Sequence, residues 1–180
     1  IVGDELIEIW WKTPGEDYST NKVFLRVWDV GQRERYQDRA EGYVLRCISP
    51  CSLRNQEGDV MGSFTGTPSE IAEKVYENYL RMPSEFDHVN KPLITWPCDN
   101  TVHYASTKWR PLEFIQKLAN QAESTDINAE TGDTTDYCDY VFFERLDAFY
   151  FYPWSAFKQG FGGIGDSIFI GTANKEGTDV

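Results

Sequence analysis

The sequence predicts an α+β fold with antiparallel, barrel-like strands near the start of the chain, an inserted two-helix α/β part and an aromatic β-hairpin. Three observations predict it. Short runs rich in β-branched and aromatic residues precede any helical pattern, two later segments begin with strong helix signals, and an aromatic hairpin follows the second of them. The 180 residues suffice for one ample core or two modest domains.

The first third of the chain has the pattern of a small sheet. Residues 6–11, 23–30 and 43–48 are β-branched and aromatic runs, separated by polar, Gly- and Pro-marked turns. The heavily charged residues 32–41 are expected to form an exposed loop between two paired strands. We therefore expect a β-rich domain over residues 1–63, either an antiparallel sheet or part of a barrel, and an α/β domain over residues 64–180.

The first helix is predicted at Thr67. This threonine is an N-cap candidate, Pro68 occupies the first helical position, and Glu70 completes a capping box. Pro83 ends the helical pattern. One apolar stripe is expected to pack inward, and it comprises Ile71, Val75, Tyr79 and Leu80.

The second helix is predicted from Pro111, with Trp109 covering its first turn. Its apolar face comprises Leu112, Ile115, Leu118, Ala119 and Ala122. Residues 84–107 are expected to form a loop with a short strand near 93–96, and the acidic residues 124–139 a mobile loop. Residues 141–151 show a hairpin pattern that turns near 145–147, and residues 167–170 look like a further strand.

Charge and composition exclude some functions. The formal net charge is −12, and such a surface repels polyphosphate, which argues against tight binding of nucleic acid but not against DNA passing nearby. No apolar run approaches the ~18 residues that a membrane span needs. The chain begins at Ile1, inside a strand-like run, and ends in polar residues, so we expect it to be incomplete at both ends.

The four cysteines leave three possibilities open. Cys47 and Cys51 are spaced as CxxxC, but no second close pair completes a zinc clamp, and Cys98 and Cys138 lie far away. Zinc binding, a structural disulfide and free thiols remain alternatives, with free thiols favoured. The sequence therefore predicts no metal site and no cofactor.

Two further motifs have simpler explanations. Residues 160–165 match GxGxxG, but a strand-like run follows, whereas a dinucleotide site needs a helix there, so a surface loop is expected. Residues 126–133 hint at a calcium loop, yet Gly132 comes one place too late and Tyr137 stands where the bidentate glutamate belongs.

Catalytic signals are weak. His88 and His103 are the only histidines, and neither lies near a nucleophile motif such as GxSxG. Pairs of carboxylates suited to glycoside hydrolysis can be drawn among 29 acidic residues without any specificity. No catalytic residues are assigned, and the chain is predicted not to be an enzyme. Its six tryptophans favour core or interface packing over a sugar-binding platform.

Four segments together form a recognisable pattern. Residues 1–9 (IVGDELIEI) match G-[DE]-E-x-x-x-I, residues 42–49 (GYVLRCIS) match a later barrel strand, and residues 63–71 (SFTGTPSEI) match S-[FY]-x-G-x-x-x-[DE]-I. The strongest match joins RPLEFI at 110–115 to an aromatic hairpin, YVFFE at 140–144 and FYF at 149–151. This pattern resembles the baseplate hub family of contractile-tailed, T-even-like bacteriophages. Ala148 departs from it, because the family usually has glycine at the hairpin turn.

The resemblance implies a structural virion protein of the tail baseplate, assembled in the host cytoplasm. Such hubs are homotrimers with tube-like β domains that join the hexameric tail tube to the trimeric central spike. Their channel passes DNA and the tape-measure protein, and wedge proteins surround them. Hubs continue into a second barrel-like segment, so the chain is expected to be a fragment. The runner-up is a carbohydrate-binding module of a phage tail or secreted protein, and a cell-wall hydrolase comes third.

The resemblance also implies which residues form the ring. The sheet of the first third would make the contacts between subunits, while the helical part would face outward as a peripheral domain. The candidate interface residues are Leu6, Ile7, Ile9, Val23, Leu25, Val27, Tyr43 and Leu45.

Overall fold

The computed structural model describes residues 5–11, 22–37, 40–127 and 132–158, which adopt a mixed α+β fold with mostly antiparallel small sheets. The strands are β1 (Leu6–Trp10), β2 (Lys22–Gln37), β3 (Ala40–Ile48), β4 (Val60–Gly66), β5 (Leu93–Thr95), β6 (Val102–Trp109), β7 (Ser124–Ile127), β8 (Thr134–Tyr137), β9 (Tyr140–Glu144) and β10 (Phe149–Pro153). The α-helices are α1 (Pro50–Glu57), α2 (Pro68–Val75), α3 (Pro111–Ala119) and α4 (Trp154–Lys158). A π-helical turn (Tyr76–Leu80) continues α2, and a 3₁₀ helix (Ser84–Val89) follows it.

Strands β1, β2 and β3 form an antiparallel sheet with β2 in the centre. Strand β2 has irregular register between Val27 and Asp29 and again between Val30 and Arg33. The predicted loop at residues 32–41 is wrong, because β2 and β3 remain paired as far as Gln37 and Ala40. Within the part of the chain described, this sheet stays open and does not close into a barrel. The α+β class is confirmed.

The predicted aromatic hairpin is confirmed as β9 and β10. Its turn is closed by the Arg145 amide, which donates to the Ala148 carbonyl at 2.9 Å, and the Phe142 and Phe149 rings stack across the two strands. Ala148 is buried, so a small side chain is what this turn accommodates. The predicted short strand β5 runs parallel to β10 on its other side.

Two predicted loops are instead strands. Strand β6 lies inside the segment expected to be a loop and pairs with β4, and both strands pack on α3 through contacts of Phe64 and Tyr104 with Phe114. Residues 124–139 contain the antiparallel ribbon of β7 and β8 instead of a mobile loop. Thr125 donates to Asp136 across this ribbon at 3.0 Å. Helix α1 was not predicted either.

Both predicted helices are confirmed. The Thr67 hydroxyl accepts from the Glu70 amide, and the Glu70 carboxylate accepts from the Thr67 amide, which completes the capping box. Gly66 precedes it at φ +152°, a backbone conformation that other residues rarely adopt, so this position favours glycine. Helix α3 begins at Pro111 and buries its apolar face.

One hydrophobic cluster unites the helices with the later strands. Its largest fully buried side chains include Tyr76, Phe114 and Phe151. Cys51 and Val60 also belong to it, although they precede the domain boundary expected at residue 63. That boundary stays a prediction.

No helix among the described residues is both long and apolar enough to cross a membrane. The GxGxxG motif at 160–165, the strand expected at 167–170 and part of the calcium-like loop, residues 128–131, lie outside the described residues.

Candidate interaction surface

The first sheet has two faces of different chemistry. Residues directly opposite each other on paired strands point to the same side, and alternate residues along a strand point to opposite sides. Ile7 lies opposite Leu25, Ile9 opposite Val23, and Cys47 opposite Val27. All of these side chains therefore share one side of the sheet.

We call this side the apolar face. Val30, opposite Leu45, extends it beyond the irregularity in β2, and Tyr43 follows two places further along β3. The face comprises Ile7, Ile9, Val23, Leu25, Val27, Val30, Tyr43, Leu45 and Cys47. None of these nine side chains is charged, and all except Val27 keep exposed surface, with Tyr43 50% exposed. Charged residues border them, because Arg33 lies opposite Tyr43 in the register and Glu5 precedes Ile7 by two places. A contiguous apolar surface of this kind is typical of an interaction site.

The opposite side, the mixed face, carries two ion pairs. Lys22 pairs with Glu8 at 3.6 Å, and Arg46 donates to Asp29 at 3.0 Å. The mixed face also turns toward the rest of the molecule, because the Phe24 ring meets the edge of His88 in the 3₁₀ helix at 5.7 Å. The apolar face thus looks away from the 3₁₀ helix.

Seven of the eight candidate interface residues lie on the apolar face. Leu6 is the exception, because it lies opposite Arg26 and so belongs to the mixed face. Sequence reasoning included Cys47 in the ring-forming range 43–47 but not among the eight candidates, and it missed Val30. The alternation of Tyr43, Leu45 and Cys47 could have identified Cys47. It could not have identified Val30, because the extra residue Trp28 shifts the alternation of β2.

Both outer strands of this sheet have open edges. Strands β1 and β3 flank β2, and no other strand among the described residues pairs with their outer sides. Unpaired N–H and C=O groups on such edges can bind a strand from another chain. The sheet therefore combines an apolar face with two edges capable of backbone pairing.

The described tryptophans do not form one cluster, although Trp10 and Trp11 are adjacent in the chain. Trp96 packs among core aromatics, with Tyr152 at 4.8 Å, and Trp109 lies under the Lys117 ammonium at 4.5 Å. Trp10, opposite Lys22, and Trp28 are exposed but about 20 Å apart along β2, six residues at roughly 3.3 Å each. This arrangement does not bring Trp10 and Trp28 together as one platform for a sugar.

Neither histidine joins a nucleophile and a carboxylate in a triad-like arrangement. His103 Nδ1 lies 3.1 Å from the Thr65 hydroxyl on an exposed strand, and His88 contacts Phe24. In the described part of the chain, no group of three His, Cys, Asp or Glu side chains is placed to hold a metal ion. The cysteines described are free thiols.

A buried polar cluster supports the core. The Tyr140 hydroxyl donates to the Pro97 carbonyl at 2.9 Å and lies 2.7 Å from the Ser124 hydroxyl. Burial raises the pKa of Tyr140 well above its usual value, so the phenol stays neutral. Ser69 accepts from the Cys98 amide nearby at 3.3 Å. These polar groups are satisfied within the core, which fits a structural role.

A shallow groove lies between the end of α3 and β9. Ala119 and Val141 line it with Cys138, Phe143 and Trp154. The Asp139 carboxylate beside it is already engaged, since it accepts from the amide and hydroxyl of Ser155 at 2.8 Å each. The groove therefore offers mainly apolar surface.

No family model, no curated protein and no solved structure matches this chain.

Proposed function

We propose that the chain is a structural protein of a contractile phage tail, a baseplate hub that joins the hexameric tail tube to the trimeric central spike. It would form part of the DNA conduit as a homotrimer in the virion. The proposal starts from the motif resemblance, and the observation that carries it is the apolar face of the first sheet. Seven of the eight residues that the resemblance assigned to subunit contacts share this face.

The chemistry of the sheet suits a closed ring. Cyclic rings need two different complementary surfaces on each subunit. An apolar face, with an open strand edge on either side, can supply such surfaces. A barrel of the tail-tube type would form if sheets of neighbouring subunits joined. The net charge of −12 fits a conduit that must not retain DNA.

The test compares Tyr43→Lys with Val44→Lys. These neighbours in β3 are similarly exposed, 50% and 56%, but Tyr43 lies on the apolar face and Val44 on the mixed face. A lysine buried without a partner costs about 2 kcal/mol or more, so Tyr43→Lys should weaken self-association by at least about 30-fold. Val44→Lys should leave it unchanged. Light scattering of the full-length protein, with and without its spike protein, measures the mass.

Each outcome of this experiment either supports the hub proposal or rules it out. A wild-type trimer, or a three-to-three complex with the spike, that only Tyr43→Lys disrupts supports the hub. A wild-type monomer that ignores the spike would rule it out. Glycan binding by such a monomer would favour the carbohydrate-binding alternative, to which the exposed Trp10 and Trp28 could contribute separately.

A further inference from the structure

The connection between the first sheet and the helices is a single residue. Strand β3 ends at Ile48, and α1 begins at Pro50. The intervening Ser49 donates from its hydroxyl to Glu144 Oε1 at 3.3 Å. Glu144 ends β9, 95 residues later in the chain, so this contact ties the connection to the aromatic hairpin.

Glu144 is itself anchored by Lys91. The Lys91 ammonium donates to the same Oε1 at 2.7 Å and to the Arg145 carbonyl at 2.6 Å. The Lys91 side chain is 16% exposed, so this ion pair is shielded from water and more rigid than a surface pair. The Tyr76 hydroxyl donates to the Lys91 carbonyl, which fixes the lysine backbone to the core.

Two aromatic contacts also join the sheet to the 3₁₀ helix. The Phe24 ring touches His88, and the Arg26 guanidinium lies 5.7 Å from the centre of the Phe86 ring. A small cavity remains between the sheet and the core, lined by Phe24, Ser49 and Glu144 among others. Close packing therefore does not hold the sheet against the core beside this cavity.

We propose that Glu144 is a positioning residue that sets the angle between the first sheet and the rest of the molecule, through Lys91 on one side and Ser49 on the other. The carboxylate links a residue fixed in the core to the residue at which the sheet joins the helices. Its significance for assembly rests on the proposed function, because the angle determines how the apolar face meets a neighbouring subunit. The angle itself is a property of each single chain and does not depend on assembly.

The test measures this angle directly. Spin labels are coupled to keto side chains introduced at Val44, on the sheet, and at Asn78, on the exposed side of the π-helical turn. Double electron–electron resonance gives the distance distribution in the full chain. Excess unlabelled chain is mixed in, so that only distances within one chain contribute whatever the oligomeric state.

Ser49→Ala removes the link to the sheet and leaves the Lys91–Glu144 pair in place, while Glu144→Gln weakens both. We expect a broader distribution with a second population in each variant, and an unchanged melting temperature in Ser49→Ala. Glu57→Gln is the control, because Glu57 pairs with Arg54 inside α1. It should give the wild-type distribution.

A wild-type distribution in both Ser49→Ala and Glu144→Gln would overturn the proposal. If Glu144→Gln does not fold, the distance distribution of Ser49→Ala alone tests the proposal. A monomeric protein in light scattering would remove the hub function but leave the distance result standing, so the two failures are distinguishable.

Discussion

At the scale of single residues, the environment of each cysteine determines its chemistry. Burial raises the pKa of Cys51 to about 12, the negative charge of Glu144 adds to this, and Lys91 partly offsets it. Burial also raises the pKa of Cys98. Cys138 is exposed. The sequence left zinc, a disulfide and free thiols open, because spacing reveals neither burial nor neighbouring charge.

These differences predict selective alkylation. The thiolate is the reactive form, and a pKa near 12 instead of 9.0 lowers the thiolate fraction of Cys51 by about a thousandfold at neutral pH. Iodoacetamide should therefore modify Cys138 in the native protein, and Cys51 and Cys98 only after unfolding. Peptide mass spectrometry over time measures this, with Cys138→Ser as the control. Comparable rates at Cys51 and Cys138 would contradict the burial of Cys51.

At the scale of elements, a helix with local sequence signals was predictable, and strands that depend on distant pairing were not. The capping box at Thr67 acts within four residues, and the structure confirms it. Strand β6 depends on pairing with β4, about forty residues earlier, and its own sequence shows no strong alternation. Pro97, Asp99 and Asn100 just before it favoured a loop. The ribbon of β7 and β8 was missed because its residues are small and polar.

The capping box gives a prediction at this scale. Thr67→Ala removes the acceptor for the Glu70 amide and should cost about 1 kcal/mol of unfolding free energy. Because α2 buries Ile71 and Val75 completely, the loss should appear in global unfolding. Urea denaturation measures it. Thr101→Ala, at an exposed position before β6, is the control and should change stability little; an equal loss there would contradict the assigned role.

At the scale of the whole molecule, the order of elements predicted the α+β class, because clustered strands and two strong helix starts are visible in sequence. How the strands divide into separate sheets, including the parallel pair of β5 and β10, arises from long-range contacts that no local pattern encodes. The apolar face was predictable in part. The resemblance implied Ile7, Ile9, Val23 and Leu25 as contact residues, but only the register shows that β3 continues the same surface.

Charge and the apolar face together predict how assembly responds to salt. In the proposed assembly each copy carries a formal net charge of −12, so copies repel one another, and the apolar residues of the face supply no ion pairs that salt could weaken. Raising the ionic strength from about 0.01 M to about 1 M shortens the Debye length from roughly 30 Å to 3 Å. Self-association should therefore strengthen, as sedimentation velocity at fixed protein concentration would show.

Tyr43→Lys serves as the control for this experiment, since it should remain largely monomeric at both ionic strengths. Dissociation of the wild-type protein on adding salt would mean that ion pairs hold the subunits together, and the contacts would then lie on the mixed face, where Glu8, Lys22, Asp29 and Arg46 are placed. Association that rises with salt leaves the apolar face as the surface consistent with both the charge and the geometry of the sheet.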